Sequence, residues 1–264
     1  MAIPAPHGAS AIERALKAPL GLRLSRRASG LVGGLVLFVG VVLVADAVAT
    51  VLWQDPFTAV FTQEEQKALG RRLDAVERAP LPASTFALVK KAGSARQRMS
   101  VLAAHLGART RAGDPLGRIS SSKAHAKFVF VAGTGERSLK RGPGHYRGTV
   151  LPGQRGTVGR AGPRTTYSAP FRRLDRLRRG NRITLTMPYG RFTYSVEGSQ
   201  VVKPTHVVVL RHVRHDRLVL TTCTPLFSAA KRLIVTARLS RAEPRGQALH
   251  LEPLAPVAPF TSSG

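Results

Sequence analysis

The residues best suited to chemistry in this chain are its one cysteine and an arginine nine positions on. Cys223 ends the run Leu218-Val-Leu-Thr-Thr-Cys223, and Arg232 opens a second run, Arg232-Leu-Ile-Val-Thr-Ala-Arg-Leu239. Both have the short, apolar-rich composition of strands. Paired as an antiparallel hairpin, they put Cys223 and Arg232 at the same end of one ladder. Alternation sends Leu218 and Leu220 to one side, and Val219, Thr221 and Cys223 to the other. Leu233, Val235, Ala237 and Leu239 then fill an interior, and Arg232 stays outside beside the thiol. A guanidinium near a partly exposed thiol favours thiolate. It can also stabilise an oxyanion as an acyl group transfers. That is the skeleton of nucleophilic cysteine catalysis. A lone cysteine excludes an internal disulfide and a CxxC metal site. Its plainest other reading is a buried structural thiol.

The elements that must position this pair change character along the chain. From Phe128 onward the pattern has period 2, with strands expected at Phe128–Ala132, Arg182–Met187, Arg191–Glu197, His206–Arg211, Arg217–Thr222 and Arg232–Leu239. Gly/Pro turns separate them, among them Gly142-Pro-Gly144, Pro152-Gly153 and Pro188-Tyr-Gly190. Many short strands with such turns predict a mainly β barrel or sandwich. Residues 54–112 read as helical and as a stalk. Thr62 and Glu65 have capping-box spacing, Leu69, Leu73 and Val76 recur at helical spacing, and a second helix over Ala87–Ala108 breaks near Gly93. Residues 241–264 are Pro-rich and read as a disordered tail.

Ahead of this lie a basic segment, residues 1–28, and an apolar run over residues 29–53 that ends at Trp53. That run is about long enough to cross a hydrocarbon core of roughly 30 Å. The arginines and Lys17 before it imply a cytoplasmic N-terminus and an exported remainder, hence a single-pass protein of the plasma membrane. The alternative is a cleaved signal, since Ala45-Asp-Ala47 and Ala47-Val-Ala49 have the form of signal-peptidase sites. The formal net charge is +27, with 41 Lys plus Arg against 14 Asp plus Glu. Such a chain is drawn to anionic surfaces. A nucleic-acid binder is disfavoured, because no helix-turn-helix, zinc or aromatic RNA-binding signature is present.

Thr221-Thr222-Cys223 with arginine heading the next strand resembles the signature of the sortases, cysteine transpeptidases of the bacterial cell surface. Further segments resemble that family in order: Gly142-Pro-Gly-His-Tyr146, Gly148-Thr149 and Leu151-Pro-Gly153, then Arg164-Thr-Thr-Tyr167 with Ala169-Pro-Phe171, then Met187-Pro-Tyr-Gly-Arg-Phe-Thr-Tyr194. The resemblance covers about residues 113–240 and is closest to the actinobacterial class E and related housekeeping sortases. It implies a closed β-barrel, no cofactor and no metal. It also implies a reaction: the cysteine attacks the threonine carbonyl of an LPxTG- or LAxTG-type sorting motif, and a peptidoglycan-precursor amine resolves the thioester. Surface proteins bearing a C-terminal sorting motif would be its partners. Carried over, Cys223 is the nucleophile and Arg232 the oxyanion and substrate-positioning group. His145, Tyr167 and Thr222 are implied substrate contacts.

One position departs from the pattern. The family reads Ala-Gly-His-Arg where this chain reads Ala161-Gly162-Pro163-Arg164, so the catalytic histidine is replaced by Pro163. Proline has no proton to give to a leaving amine. His212 and His215 fall at the far end of the strand leading to Cys223. His145, whose loop is expected near the groove mouth, is the one histidine placed to compensate. Two functions stay open: an impaired transpeptidase, and a catalytically inactive binding module on the same fold.

Overall fold

The computed structural model describes residues 33–45 and 56–249. The chain divides into two compact units, Met1–Trp53 and Gln54–Gly264. In the first, residues 33–45 are helical and expose Leu35, Phe38 and Val44. Among the described residues, no helix is long and apolar enough to cross a membrane. The rest of the expected anchor, the basic segment 1–28 and the last residues of the tail lie outside the described residues.

The second unit opens with three helices, α1 (Pro56–Arg78), α2 (Ala83–Lys91) and α3 (Ala95–Arg109). The chain is already helical at Pro56, so Thr62 lies inside α1 and not at its cap. The break expected near Gly93 occurs at residues 92–94, where the Ser94 side chain accepts from the Gln97 N–H at 3.2 Å and caps α3. These helices do not form a free-standing stalk. Leu69 and Leu73 of α1 are fully buried against Val129 and Val131, while Met99, Leu102 and Ala103 of α3 join the main core. Gln66 also donates to the carbonyls of Val129 and Arg141 and accepts from the Val129 N–H. An apolar stripe beside a sheet has nowhere better to go than onto that sheet.

Eight strands close into a barrel: β1 (Pro115–Ser121), β2 (Ala126–Ala132), β3 (Gly144–His145), β4 (Thr157–Ala161), β5 (Arg182–Met187), β6 (Gly190–Val202), β7 (Arg217–Thr224) and β8 (Lys231–Pro244). The order around the barrel is β1-β2-β3-β4-β7-β8-β6-β5. Closure leaves no free edge. A short helix, α4 (Glu136–Arg141), joins β2 to β3. The interior is filled by Ile119, Phe130, Ile183, Leu185, Phe192, Leu218, Leu220, Leu233, Val235 and their neighbours.

The expected strands at Phe128–Ala132, Arg182–Met187, Arg191–Glu197, Arg217–Thr222 and Arg232–Leu239 are all present, most with longer ends. His206–Arg211 is not a strand; Val207–Leu210 is a 3-10 turn. Its carbonyls are taken by side chains: Thr157 donates to Arg211 O at 2.6 Å, and Arg217 donates to Val209 O at 2.8 Å. The segment after Arg241 is also more ordered than its composition suggests. β8 runs on to Pro244, and Ala248 is fully buried.

Candidate active site

The hairpin of β7 and β8 sets the site. Its register pairs Cys223 with Arg232, Thr222 with Leu233 and Thr221 with Ile234. Directly opposed residues project to the same face, with Cα atoms about 4.5–5.5 Å apart. Leu220, Leu233 and Val235 lie in the barrel core, so Cys223 and Arg232 are on the outer face, at the barrel rim. Cys223 is a free, half-buried thiol. Arg232 is half-buried too, and its Nη1 donates to the carbonyls of Ala229 and Lys231 at 3.0 and 3.2 Å. Its guanidinium therefore rests on the loop beside the thiol.

The third strand of the site is β4, which pairs with β7 in parallel and sets Ala161 against Thr221. The same register carried two residues further brings Pro163 level with Cys223. Two bonds hold that extension: the Gly162 N–H donates to Thr221 O at 3.1 Å, and Thr222 Oγ1 donates to Gly162 O at 2.7 Å. Gly162 is required there, because a Cβ would lie 2.5 Å from the Phe171 ring. Thr222 is thus a buried strap between strands, and its hydroxyl does not face the groove.

Two contacts went unnoticed in the sequence. Arg164, buried beside Pro163, donates from Nη1 to Thr224 Oγ1 at 2.8 Å and pairs with Asp175 at 2.9 Å. It ties the residue after Cys223 to the loop beyond β4. The Tyr146 phenol and the Thr221 hydroxyl are 2.7 Å apart, on the face that carries Cys223. Only their long sequence separation hid them. Tyr167, expected as a substrate contact, begins a run of three left-handed residues, Tyr167, Ser168 and Ala169, with φ of 53, 58 and 42°. Lys140 Nζ lies 5.9 Å from its ring centroid. Left-handed residues with side chains are strained, and such strain is held only where surroundings over-determine it.

His145 is not at the groove mouth. It pairs with Arg160 across β3 and β4, 8% exposed, inside the barrel. Arg160 is fully buried; its Nη1 donates to His145 Nδ1 and to Gly159 O, and its guanidinium stacks 4.2 Å from the Phe130 ring centroid. Burial, aided by the Arg160 charge, holds the imidazole down to about 3. Burial likewise lowers Arg160 to about 9. Arg160 pairs with Leu220 on β7, three residues short of Cys223, roughly 10 Å along the strand. A neutral, walled-in imidazole on the interior face cannot serve the thiol outside. His125, His206, His212 and His215 are exposed. His215 is eight residues from Cys223, roughly 25 Å along an extended strand.

The Sortase domain family model matches residues 118–240. Sortase E of Streptomyces avermitilis, a solved structure, is 33% identical over 53% of this chain and 99% of that one, with a TM-score of 0.47. This chain belongs to the sortase family. Sortase D of Bacillus subtilis is 33% identical over 128 residues, 47% of this chain and 63% of that protein. Sortase SrtE1 of Streptomyces coelicolor is 32% identical over 127 residues, 42% of this chain and 36% of that protein. The matched stretches thus span less than two thirds of either curated relative. In this member β4, β7 and β8 bring Cys223, Arg232 and the Gly162-Pro163 segment to one end of the barrel.

Proposed function

We propose that this chain is a cell-surface cysteine transpeptidase that retains its nucleophile and has lost its general acid. The observation that carries the proposal is the facing pair Cys223 and Arg232 at the barrel rim. The Cys223 thiolate attacks the threonine carbonyl of an LPxTG- or LAxTG-type sorting motif. Arg232, swung from its loop carbonyls, steadies the developing oxyanion. The C–N bond then breaks, glycine leaves as an amine and a thioester remains on Cys223. A peptidoglycan-precursor amine attacks that thioester and releases the thiol. The leaving amine needs a proton at the step where Pro163 stands. Loss of such a donor costs about 10²- to 10⁴-fold. The apolar N-terminal run would anchor the protein in the plasma membrane, with the barrel outside.

A second reading is favoured by one observation, Pro163 itself: a sortase-fold module that binds sorting motifs without cleaving them. Incubation of residues 54–264 with a sorting-motif peptide, followed by intact mass spectrometry, separates the two. A thioacyl adduct on Cys223 that is absent from Cys223→Ala supports the enzyme. Peptide binding with no adduct over long incubation supports the module.

A further inference from the structure

The positive charge of this protein is not evenly compensated. All ten described carboxylates are engaged in ion pairs: Glu64, Glu65, Asp74, Glu77, Asp114, Glu136, Asp175, Glu197, Asp216 and Glu243. No described acid is left to neutralise the remaining cations. The densest run of those cations lies between β4 and β5. There Phe171, Leu174 and Leu177 point into the core, at 1–2% exposure. Around them stand Arg172, Arg173, Arg176, Arg178, Arg179 and Arg182. The single acid among them, Asp175, is taken by Arg164. The three apolar anchors hold this ridge of arginines against the barrel core.

The ridge ends in a groove. Arg182 is also part of a concave polar surface of about 610 Å³ across the outer faces of β1, β5, β6 and β8. There it meets Arg191, Arg241 and the hydroxyls of Ser120, Thr184 and Thr193. Glu243 is the one acid in the groove, and Arg241 pairs with it at 2.7 Å. Arg176, Arg179, Arg182 and Arg191 are exposed, and among the described residues their guanidinium groups have no hydrogen-bond or ion-pair partner. Guanidinium forks with hydroxyls between them match phosphate oxygens. Four neighbouring strands at about 4.8 Å spacing give the groove a length suited to several repeats of a chain.

We propose that the arginine ridge and this groove form a binding track for a linear phosphate-bearing polymer, separate from the Cys223 site. The probe is inorganic polyphosphate, titrated by fluorescence anisotropy against residues 54–264, the compact unit that contains the whole barrel core. Arg176→Gln, Arg179→Gln, Arg182→Gln and Arg191→Gln are combined in one variant. A control variant removes four exposed cations from the helices and the loop after them: Lys90→Gln, Lys91→Gln, Arg109→Gln and Arg111→Gln. At physiological salt the track variant is expected to bind about tenfold more weakly or worse, with a flatter salt dependence. The control is expected to change by less than about twofold. Unchanged thermal unfolding and Cys223 labelling show that both variants are folded. Equal weakening in the two variants would overturn the proposal, because bulk charge would then explain the binding. So would a wild type that does not bind, or one that prefers phosphatidylglycerol vesicles over polyphosphate through the same four arginines.

Discussion

The barrel holds two arginine settings, Arg232 at the rim and Arg160 inside, whose partners on β7 are Cys223 and Leu220, and they behave in opposite ways. At the rim, Arg232 faces Cys223, half-exposed, with loop carbonyls it can exchange for another acceptor. Inside, Arg160 and His145 are sealed among Phe130, Tyr189 and Tyr194, and burial pushes both tyrosine hydroxyls upward as well. Arg160 Nε and Nη2 have no hydrogen-bond partner there. The same side-chain types therefore do different work according to which face of a strand they occupy. Outside, a charge is cheap to hold and free to meet a substrate. Inside, it is costly to keep and fixed in place. Proximity in sequence to the family's motifs does not make His145 catalytic.

That contrast can be broken in several ways. The largest effect is expected from the rim: Cys223→Ala should abolish adduct formation with a sorting-motif peptide, while thermal unfolding stays within about 1 kcal/mol of wild type. Arg232→Ala should lower the adduct rate by about 10²-fold with the fold intact, as expected for loss of one oxyanion contact. Arg160→Met should leave that rate within about twofold. If Arg160→Met slowed acylation as much as Arg232→Ala, the inside-outside division would fail.

Next in size is the helical cover. Leu73→Ala should destabilise the protein by about 2–5 kcal/mol, because a fully buried side chain is removed against Val129 and Val131. Denaturant titration would read this, and a near-zero change would mean α1 is not part of the fold's core. The smallest effect concerns pH. His145 binds a proton near 6.5 when unfolded and only near 3 in the fold. Stability linked to it is therefore complete above about pH 6.5 and falls as pH drops toward 3. His145→Gln should flatten the acid limb of the unfolding midpoint between pH 6 and 4. An unchanged slope would show that His145 is not sequestered.

The β7–β8 hairpin was legible because both strands are long enough, and apolar enough at the right positions, to fix a register. That register alone puts Cys223 opposite Arg232. β4 was not legible. Thr157-Val-Gly-Arg-Ala161 carries a glycine and a charge over five residues, and it becomes a strand only because β3 and β7 supply partners on both sides. With β4 unseen, nothing in the chain could say that Arg160 turns inward and takes His145 with it. The helices were readable as helices from Leu69 and Leu73, but a periodic stripe does not name its partner. The expected strand at His206–Arg211 failed because its carbonyls are captured by Thr157 and Arg217, contacts made across the fold and invisible locally.

The central claim is that an acyl-transfer thiol sits at the rim with its proton donor missing. The direct measurement is the rate of thioacyl formation on Cys223 in wild type and in Pro163→His, with the same sorting-motif peptide at neutral pH. A gain of about 10²-fold or more in Pro163→His is expected. Equal rates, or no adduct in either protein despite a reactive thiol, would contradict it.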